Sequence, residues 1–316
     1  MVVSQFSVLI PTRDRRDDLR ACLRSLAGQT WLPAEVVIVD STPRPRGDEA
    51  EVYQACAGPV PVRYVHVARA GSAWQRNQGL GLICPASEYL VLLDDDVVLE
   101  PDYCAQLVRA LDRRPDVVGA VGTITNWQGY PDHWAVQAAL RLFMMDGQPG
   151  AVLPSGQIGH LGENLWGEPF AIQWLYGGNT IVRRSAAADL RFDPTFERFG
   201  GYAFNEDLDF SYALGRRGAL LCVPAARLVH KISPAGRPTD DYRFGIAQVA
   251  NRGLFVRKHL PGPLHFACYL WSMLGTMLIN GAMIAAGRSH TRLLGNLIGL
   301  ALVLSGQVRP APERGP

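Results

Sequence analysis

A five-residue apolar run that ends in three consecutive carboxylates constrains this chain more than any other feature. The run Tyr89-Leu90-Val91-Leu92-Leu93 is too short for a typical helix and suits a buried strand. Asp94-Asp95-Asp96 follows at once, and three carboxylates cannot continue into a core. A strand that delivers carboxylates to a sheet edge is one way in which α/β proteins build a cation or ligand site. A solvated acidic turn explains the triplet alone equally well, so the rest of the chain must decide.

Strand-like runs alternate with helix-like segments over the N-terminal part of the chain. The strand-like runs are 6–10, 35–40, 62–67 and 88–93, and the helix-like segments are 17–29 and 72–82. This alternation predicts an α/β fold with a mostly parallel central sheet, in which ligands bind at the carboxyl ends of the strands. Asp40 ends one such strand and the acidic triplet ends another, so we expect them at the same edge of the sheet.

Composition and motifs limit the functional classes. The formal net charge of +2, without a basic stripe interleaved with aromatic residues, gives no indication of nucleic-acid binding. The six cysteines are scattered without a CxxC pair, which is typical of a reducing compartment rather than a disulfide or zinc framework. No basic-then-apolar signal sequence opens the chain, so a cytoplasmic protein is expected. No glycine-rich phosphate loop follows the first strand, so neither a dinucleotide site nor a P-loop is expected.

Further candidate residues follow in the second half of the chain. Glu206 and Asp207 open a predicted helix, where the helix dipole favours acidic residues whatever the function. His230 ends a predicted strand at 227–230, and a lone histidine is more often structural than a ligand. Residues 123–170 are irregular and rich in Gly and Pro, which is typical of a functional lid or insertion.

In their order and spacing, these segments resemble the family 2 glycosyltransferases. The matching segments are 7–12, 23–30, 35–41, 76–79 and 89–96, and the resemblance extends over residues 6–230. It implies the GT-A fold, a nucleotide-binding α/β sandwich. It also implies a metal-dependent, inverting enzyme that moves a hexose or deoxyhexose from a nucleoside-diphosphate sugar to an acceptor hydroxyl. The acceptor would be a lipid-linked glycan or a cell-envelope polysaccharide.

The resemblance also assigns roles on the donor side. The residues expected to face the donor lie at or after the ends of the N-terminal strands and in the RN pair of the second helix: Pro11, Thr12, Arg13, Asp40, Arg76, Asn77, Asp94 and Asp95. Asp40 would hydrogen-bond the base. Asp96 would ligate Mn²⁺ or Mg²⁺ directly, with Asp94 and His230 as further ligands. Such hard cations prefer oxygen ligands and stabilise the charge that builds on a leaving diphosphate.

On the acceptor side, the resemblance assigns Asp207 as the general base, with Glu206 as its partner and the alternative base. Trp174, Gly177, Gly178 and Asn179 would lie near the acceptor. The sequence departs from the family in one respect, because Ser41-Thr42-Pro43 stands where a second acidic residue is common. This departure leaves the identity of the donor open.

Other functional classes remain as alternatives. A sugar-phosphate nucleotidyltransferase would need a glycine-rich first loop, and residues 11–14 contain no glycine. A non-catalytic nucleotide-sugar-binding subunit would not need the Glu206-Asp207 pair. A glycosidase fits less well, because its paired carboxylates act without a nucleotide or a metal.

Beyond residue 243 the chain changes character. Residues 264–286 contain no Asp, Glu, Lys or Arg and are long enough for a spanning helix of ~20 residues, and 293–304 is a shorter apolar run. Ser272, Thr276 and Asn280 form a polar stripe at i,i+4 spacing. The stripe favours a helical hairpin that lies on the membrane, or that packs on the catalytic domain or on a second subunit, over a simple span.

These patterns together predict two regions. Residues 1–243 would form the GT-A catalytic domain, with a nucleotide-binding half at 1–122 and an acceptor-side half at 123–243. Residues 244–316 would form the C-terminal helical region. We expect peripheral membrane contact through 264–305 at the inner face of the cell membrane, and the sequence leaves homo-oligomerisation open.

Overall fold

A computed structural model describes residues 5–127, 133–162, 165–199, 203–233, 240–287 and 289–310. The chain divides into two compact units. The first comprises Met1–Gln128, Gly162–Phe192 and Phe210–Arg237, and the second comprises Gly129–Leu161, Asp193–Asp209 and Pro238–Pro316. The second unit therefore joins the C-terminal helices to two segments that the sequence assigned to the acceptor-side half.

The first unit contains one central sheet. Its strands are β1 (Phe6–Thr12), β2 (Glu35–Asp40), β3 (Val62–His66), β4 (Tyr89–Leu93), β5 (Val97–Leu99), β6 (Val117–Ile124), β7 (Phe170–Ile172), β8 (Asn179–Arg183) and β9 (Ala219–His230). Their order is β3-β2-β1-β4-β8-β6-β9-β5, and β7 pairs with β9. The α/β fold class expected from the sequence is confirmed.

The direction of the strands differs between the two ends of the sheet. β1 to β4 pair in parallel, whereas β8 runs antiparallel between β4 and β6, and β5 and β7 run antiparallel to β9. The expected mostly parallel arrangement therefore describes β1 to β4 and the β6–β9 pair, and the complete sheet is mixed. In the parallel part, Thr12 is level with Asp40, which brings the carboxyl ends of β1 and β2 to one edge.

The helices of the chain are α1 (Arg16–Ala27), α2 (Glu49–Ala57), α3 (Ser72–Leu80), α4 (Tyr103–Asp112), α5 (Trp134–Leu142), α6 (Glu206–Gly215), α7 (Asp241–His259), α8 (Pro263–Ala285) and α9 (Thr291–Leu304). In α1, the predicted apolar face of Leu19, Cys22, Leu23 and Leu26 is fully buried. Every residue of β4 is buried as well, so the run that precedes the acidic triplet is the core strand that its composition predicts.

β9 is one continuous strand, and the strand predicted at 227–230 forms its last four residues. Its pairing with β6 shifts register between Val223 and Arg227, and Pro224 lies within this irregularity. A proline lacks the N–H that a regular ladder needs, so a bulge is where a strand tolerates it. The strand then continues to His230, which is level with Val97 of β5.

The second unit contains α5, the first turn of α6, and α7 to α9. The amide of Asn251 in α7 donates to the carbonyl oxygens of Phe196 (2.7 Å) and Phe204 (2.9 Å) and fixes the segment that precedes α6. Among the described residues, α8 is the one helix long and apolar enough to cross a membrane. A core helix of a soluble protein can pass the same test, so length and composition alone decide nothing here.

Candidate functional site

The ends of β1 and β2 are tied together by a side chain from α3. Gln75 Nε2 donates to the carbonyl oxygens of Thr12 (2.8 Å) and Val39 (2.7 Å), and its Oε1 accepts a hydrogen bond from Ser41 Oγ (3.1 Å). Gln75 is buried, so both strand ends are held in a fixed relation. Sequence reasoning missed this residue, and a polar side chain on the core-facing side of a short helix was the only signal for it.

Asp40 lies at the end of β2, where the sequence predicted it. Its Oδ1 accepts the N–H of Thr42 (2.7 Å), and its Oδ2 accepts the hydroxyl of Tyr64 (3.0 Å). Burial, and then the nearby Asp40 carboxylate, raise the pKa of Tyr64, so this phenol stays a donor. The carboxylate is therefore held in one orientation at the sheet edge.

The three acids after β4 occupy three different environments, and Asp94 is the most exposed. Its Oδ1 accepts a hydrogen bond from Arg76 Nη2 (3.1 Å), and its N–H donates to the carbonyl oxygen of Gly178 (3.1 Å). A Cβ atom at residue 178 would lie 2.1 Å from the Asp94 carboxyl group. Only glycine therefore permits this close approach between the β8 loop and the acidic triplet.

Asp95 points into the protein. Its carboxylate accepts hydrogen bonds from Thr12 Oγ1 (2.7 Å) and Arg15 Nη1 (2.9 Å). Burial raises the pKa of Asp95 to about 7, although Arg15 and Thr12 act in the opposite direction. Arg15 also lies 3.4 Å from Asp96 Oδ2, so this guanidinium bridges two of the acids. Sequence reasoning missed this role of Arg15.

Asp96 is fully buried beside the end of β9. His230 Nε2 lies 3.0 Å from its Oδ1, and the N–H of Ser233 donates to its Oδ2 (2.9 Å). Burial by itself would raise the pKa of Asp96, but His230, Ser233 and Arg15 together lower it to about 2. Ile232, between these two partners, has a left-handed backbone with φ of 54°, which is strained for a β-branched residue.

Asp94, Asp96 and His230 form a group suited to a cation. Each offers one ligand atom, and these atoms lie within 4.8 Å of one another. Two carboxylates and one imidazole suit a first-row divalent ion such as Mn²⁺, with water or phosphate oxygens completing the coordination. The structure thus brings together the three residues that the sequence named as metal ligands.

The other residues predicted to face the donor lie in different environments. Arg76 is buried against Asp94. Arg13 has a half-exposed side chain 3.8 Å from Asp14, and Pro11 is partly buried. Both amide atoms of Asn77 bind the backbone of Phe192, at 2.7 and 2.9 Å, so here this side chain fixes a neighbouring segment.

Three of the four residues predicted on the acceptor side precede β8, and Asn179 is its first residue. Gly177 is partly buried and Gly178 is buried. Trp174 is 2% exposed, and the amide of Asn179 hydrogen-bonds both backbone groups of Gly122 and the hydroxyl of Tyr103. Their contact with an acceptor stays a prediction, and the structure gives Trp174 and Asn179 a packing role.

Glu206 and Asp207, in the first turn of α6, belong to the second unit. Asp207 is partly buried, and its Oδ1 accepts the N–H of Leu208 (2.8 Å). Glu206 is buried. Asn205, just before the helix, has a left-handed φ of 68°, a conformation that asparagine tolerates better than most residues. The general-base role of Asp207 stays a prediction.

A charged network that sequence reasoning missed lies in the same turn. Asp209 Oδ1 lies 2.7 Å from His259 Nε2, and its Oδ2 accepts a hydrogen bond from Lys258 Nζ (2.9 Å). Lys258 also donates to Asp193 Oδ2 (2.9 Å). Burial opposes ionisation of both partners, but their attraction raises the pKa of Lys258 and lowers that of Asp193. The network fixes the first turn of α6 against the end of α7.

Sequence comparison finds relatives that are named as glycosyltransferases or as an O-antigen biosynthesis protein. A family model described as glycosyl transferase family 2 matches residues 7–190. The uncharacterized glycosyltransferase YibD of Escherichia coli is 33% identical over 115 residues, which is 36% of this chain and 33% of that protein. The O-antigen biosynthesis protein RfbC of Myxococcus xanthus is 28% identical over 75% of this chain and 18% of its own length. The first of these matches spans only about a third of the relative's length.

Solved structures of glycosyltransferases share the fold. TarS 1–349 of S. aureus has a TM-score of 0.58 at 15% identity, with 96% of this chain and 82% of that one covered. The mannosyltransferase PcManGT of Pyrobaculum calidifontis, solved with GDP-Man and Mn²⁺, has a TM-score of 0.53 at 18% identity, with 96% and 81% covered. At identities this low, the TM-scores show that the GT-A fold is shared and nothing more. Because the family model covers more than half of the sequence, this chain belongs to glycosyl transferase family 2.

Proposed function

We propose that this protein transfers a sugar from a nucleoside-diphosphate sugar to an acceptor hydroxyl, with a divalent metal ion and with inversion at the anomeric carbon. The observation that carries the proposal is the group of Asp94, Asp96 and His230 at the edge where β1, β2 and β4 end. In an open sheet of this kind, the strand ends are where a nucleotide binds.

The fit of a metal rests on the chemistry of these side chains. Asp96 stays ionised, because the groups around it lower its pKa to about 2, and it can therefore ligate a cation throughout the physiological range. His230 and Asp94 would supply the further ligand atoms. A bound Mn²⁺ or Mg²⁺ would stabilise the negative charge of the departing diphosphate.

The donor nucleotide would occupy the edge between Asp40 and the acidic triplet. Asp40 is oriented by Thr42 and Tyr64, and such a fixed carboxylate suits a hydrogen bond from the N–H of a base. Arg76, held by Asp94, adds positive charge beside the site for the diphosphate.

Asp207 would act as the general base. A carboxylate in the first turn of a helix is stabilised in its ionised form by the helix dipole, so it is ready to accept a proton. As the acceptor oxygen forms its bond to the anomeric carbon, Asp207 takes the hydroxyl proton and the nucleoside diphosphate leaves with the electron pair. This single displacement inverts the configuration. Asp209 would hold the turn that carries the base.

The acceptor class is part of the proposal. The relative from Myxococcus xanthus is an O-antigen biosynthesis protein, and this supports a lipid-linked glycan or a cell-envelope polysaccharide as the acceptor. The sugar would be a hexose or a deoxyhexose.

The first experiment is a donor panel. The full chain is incubated with UDP-, GDP- and dTDP-sugars, with Mn²⁺ or with EDTA, and release of the nucleoside diphosphate is measured. Turnover of one donor that EDTA abolishes is the expected result. Turnover that is insensitive to EDTA would refute the metal, release of pyrophosphate from a nucleoside triphosphate and a sugar phosphate would indicate a nucleotidyltransferase, and binding without turnover would indicate a non-catalytic subunit.

Two substitutions separate donor binding from transfer. Asp96→Asn should abolish Mn²⁺-dependent donor binding. Asp207→Asn should keep that binding and lower transfer by about 10²- to 10⁴-fold, the range for a general base. Asp116→Asn is the matched control, because this exposed acid pairs with Arg114 and should leave both quantities unchanged. Near-normal transfer by Asp207→Asn would show that another group is the base.

A further inference from the structure

Helix α8 buries a polar stripe, together with Tyr269 and Met273, and exposes most of its other large apolar residues. Ser272, Thr276 and Asn280 lie on one face and are buried. The opposite side exposes large apolar side chains: Leu264, Trp271, Leu274 and Leu278. A helix on the surface of a water-soluble protein has the reverse arrangement, with its apolar stripe toward the core.

The buried polar stripe is used for contacts between helices. Asn280 Nδ2 donates to Asn296 Oδ1 in α9 (2.8 Å) and to the carbonyl oxygen of Thr276 (2.9 Å). Asn296 Nδ2 in turn donates to the carbonyl oxygen of Gly245 in α7 (3.0 Å). Polar side chains that hydrogen-bond across helices while leucines face outward are typical of helices in lipid.

Helix α9 repeats the pattern with small residues. Gly295 and Gly299, four residues apart, face α7, and a Cβ at residue 295 would lie 2.1 Å from the carbonyl oxygen of Tyr242. The exposed side of α9 carries large apolar side chains: Leu294, Leu297, Ile298 and Leu304. Small residues at four-residue spacing that let two backbones approach are a second feature of helix packing in membranes.

The charge around this hairpin indicates what covers its outer face. Residues 240–312 contain two acids, Asp240 and Asp241, which pair with Arg243 and Arg292, whereas further Lys and Arg occur at 252, 257, 258, 288 and 309. Arg252 is buried and Lys258 is paired with Asp193 and Asp209, but the segment still carries an excess of basic over acidic residues. A second copy of the chain would bring a like-charged surface to the same face. A bilayer with anionic headgroups offers hydrocarbon for the leucines and opposite charge for the basic residues.

Helix length indicates how the face meets the bilayer. At 1.5 Å per residue, the 23 residues of α8 extend about 34 Å and the 14 residues of α9 about 21 Å. A hydrocarbon core of ~30 Å is thus longer than α9. We propose that the outward apolar face of α8 and α9, defined by the eight exposed side chains named above, lies in one leaflet of an anionic bilayer. This inference does not depend on the proposed transfer reaction.

The test is flotation with preformed vesicles. The full chain is added, free of detergent, to vesicles of phosphatidylcholine with phosphatidylglycerol, and the fraction that floats is measured. Leu274→Glu/Leu278→Glu places two charges on the outward face and should lower binding by about tenfold or more. Leu32→Glu is the matched control, because Leu32 is also an exposed leucine but lies in the first unit, and it should float like the wild type.

Every outcome bears on the proposal. Circular dichroism and thermal melting of the double variant check its fold, since both leucines are exposed and their replacement should leave the folded state intact. Failure of the wild type to float, or equal flotation of the double variant, would overturn the proposal. A wild-type dimer that the double variant loses, without vesicle binding by either, would assign the face to a second copy. Association only when the chain is synthesised into a bilayer would overturn placement in one leaflet.

Discussion

Substitution of Gly178 by alanine tests the metal site without touching a proposed ligand. The new Cβ atom would lie 2.1 Å from the Asp94 carboxyl group, whereas ordinary van der Waals contact begins at 3.4 Å. The carboxylate must therefore retreat by about 1.3 Å, which is 3.4 minus 2.1. In doing so it would leave Arg76, its partner at 3.1 Å.

The displacement sets the size of the expected effect. Metal–ligand distances tolerate only about 0.2 Å, so a ligand moved by about 1.3 Å no longer coordinates. Loss of the groups that orient a ligand costs about 10- to 100-fold in metal affinity, and we expect Gly178→Ala to fall in this range. The free energy of unfolding should fall by only about 1 kcal/mol, because a side-chain rotation relieves the clash.

The assay is Mn²⁺ titration of the protein, followed by the loss of the free-ion signal in electron paramagnetic resonance. Gly81→Ala is the matched control: its Cβ would lie 3.6 Å from the carbonyl oxygen of Gln78, and its backbone is right-handed, with φ of −73°. If Gly178→Ala binds Mn²⁺ as tightly as Gly81→Ala and the wild type, Asp94 is not a ligand and the reasoning fails.

Three further predictions concern buried charges, each read out by urea unfolding. Arg15→Met removes the cation beside buried Asp95 and should cost about 3 kcal/mol, as for other broken buried pairs. Asp209→Asn should cost about 2 kcal/mol, less because Lys258 is 30% exposed. The pKa of Asp193 is lowered, so its pairing with Lys258 stabilises the fold above the ordinary Asp pKa of 3.8. This stabilisation is lost as the pH falls through the folded-state pKa. In Asp193→Asn, the free energy of unfolding should therefore fall less steeply at acid pH.

The controls use exposed pairs of the same chemistry. Arg114→Met breaks a pair with Asp116, and Asp189→Asn breaks a pair with Arg217, both at the surface. Neither should change the free energy of unfolding measurably. An Arg15→Met protein as stable as Arg114→Met, or an Asp209→Asn protein as stable as Asp189→Asn, would show that these contacts are not formed in solution. If the free energy of unfolding of Asp193→Asn falls at acid pH as steeply as that of the wild type, other groups cause the fall.

The parts of the fold that sequence predicted are those specified by local pattern. β2 is a continuous apolar run closed by Asp40, and its observed bounds match the prediction. The apolar stretch at 264–286 became α8 within one residue at each end. β6 was missed because Gly119 and Gly122 interrupt its pattern, although a Cβ at either residue would clash with packed neighbours. Helix α4 was not predicted, although its buried residues recur at helical spacing.

The residues of the candidate site were likewise predictable only where a local sequence pattern marks them. Asp40, Asp94 and Asp96 could be found because carboxylates that directly follow buried strands stand out in a sequence. Gln75 and Arg15 could not, because their partners lie on other strands and are brought to them only by the order of the sheet. The same topology assigns Asn77 to the backbone of Phe192, a contact that no local pattern predicts.

The strained backbone of Ile232 lowers the stability of the folded protein. This left-handed backbone holds His230 and Ser233 on opposite oxygens of Asp96, and glycine would adopt that conformation without strain. Ile232→Gly would relieve this strain but would add conformational entropy to the unfolded chain, so its two effects on stability oppose each other. The same change would free the turn to sample other shapes, so the variant would be expected to bind the proposed cation less tightly. Relief of backbone strain and affinity for the proposed cation are therefore opposed at this one residue.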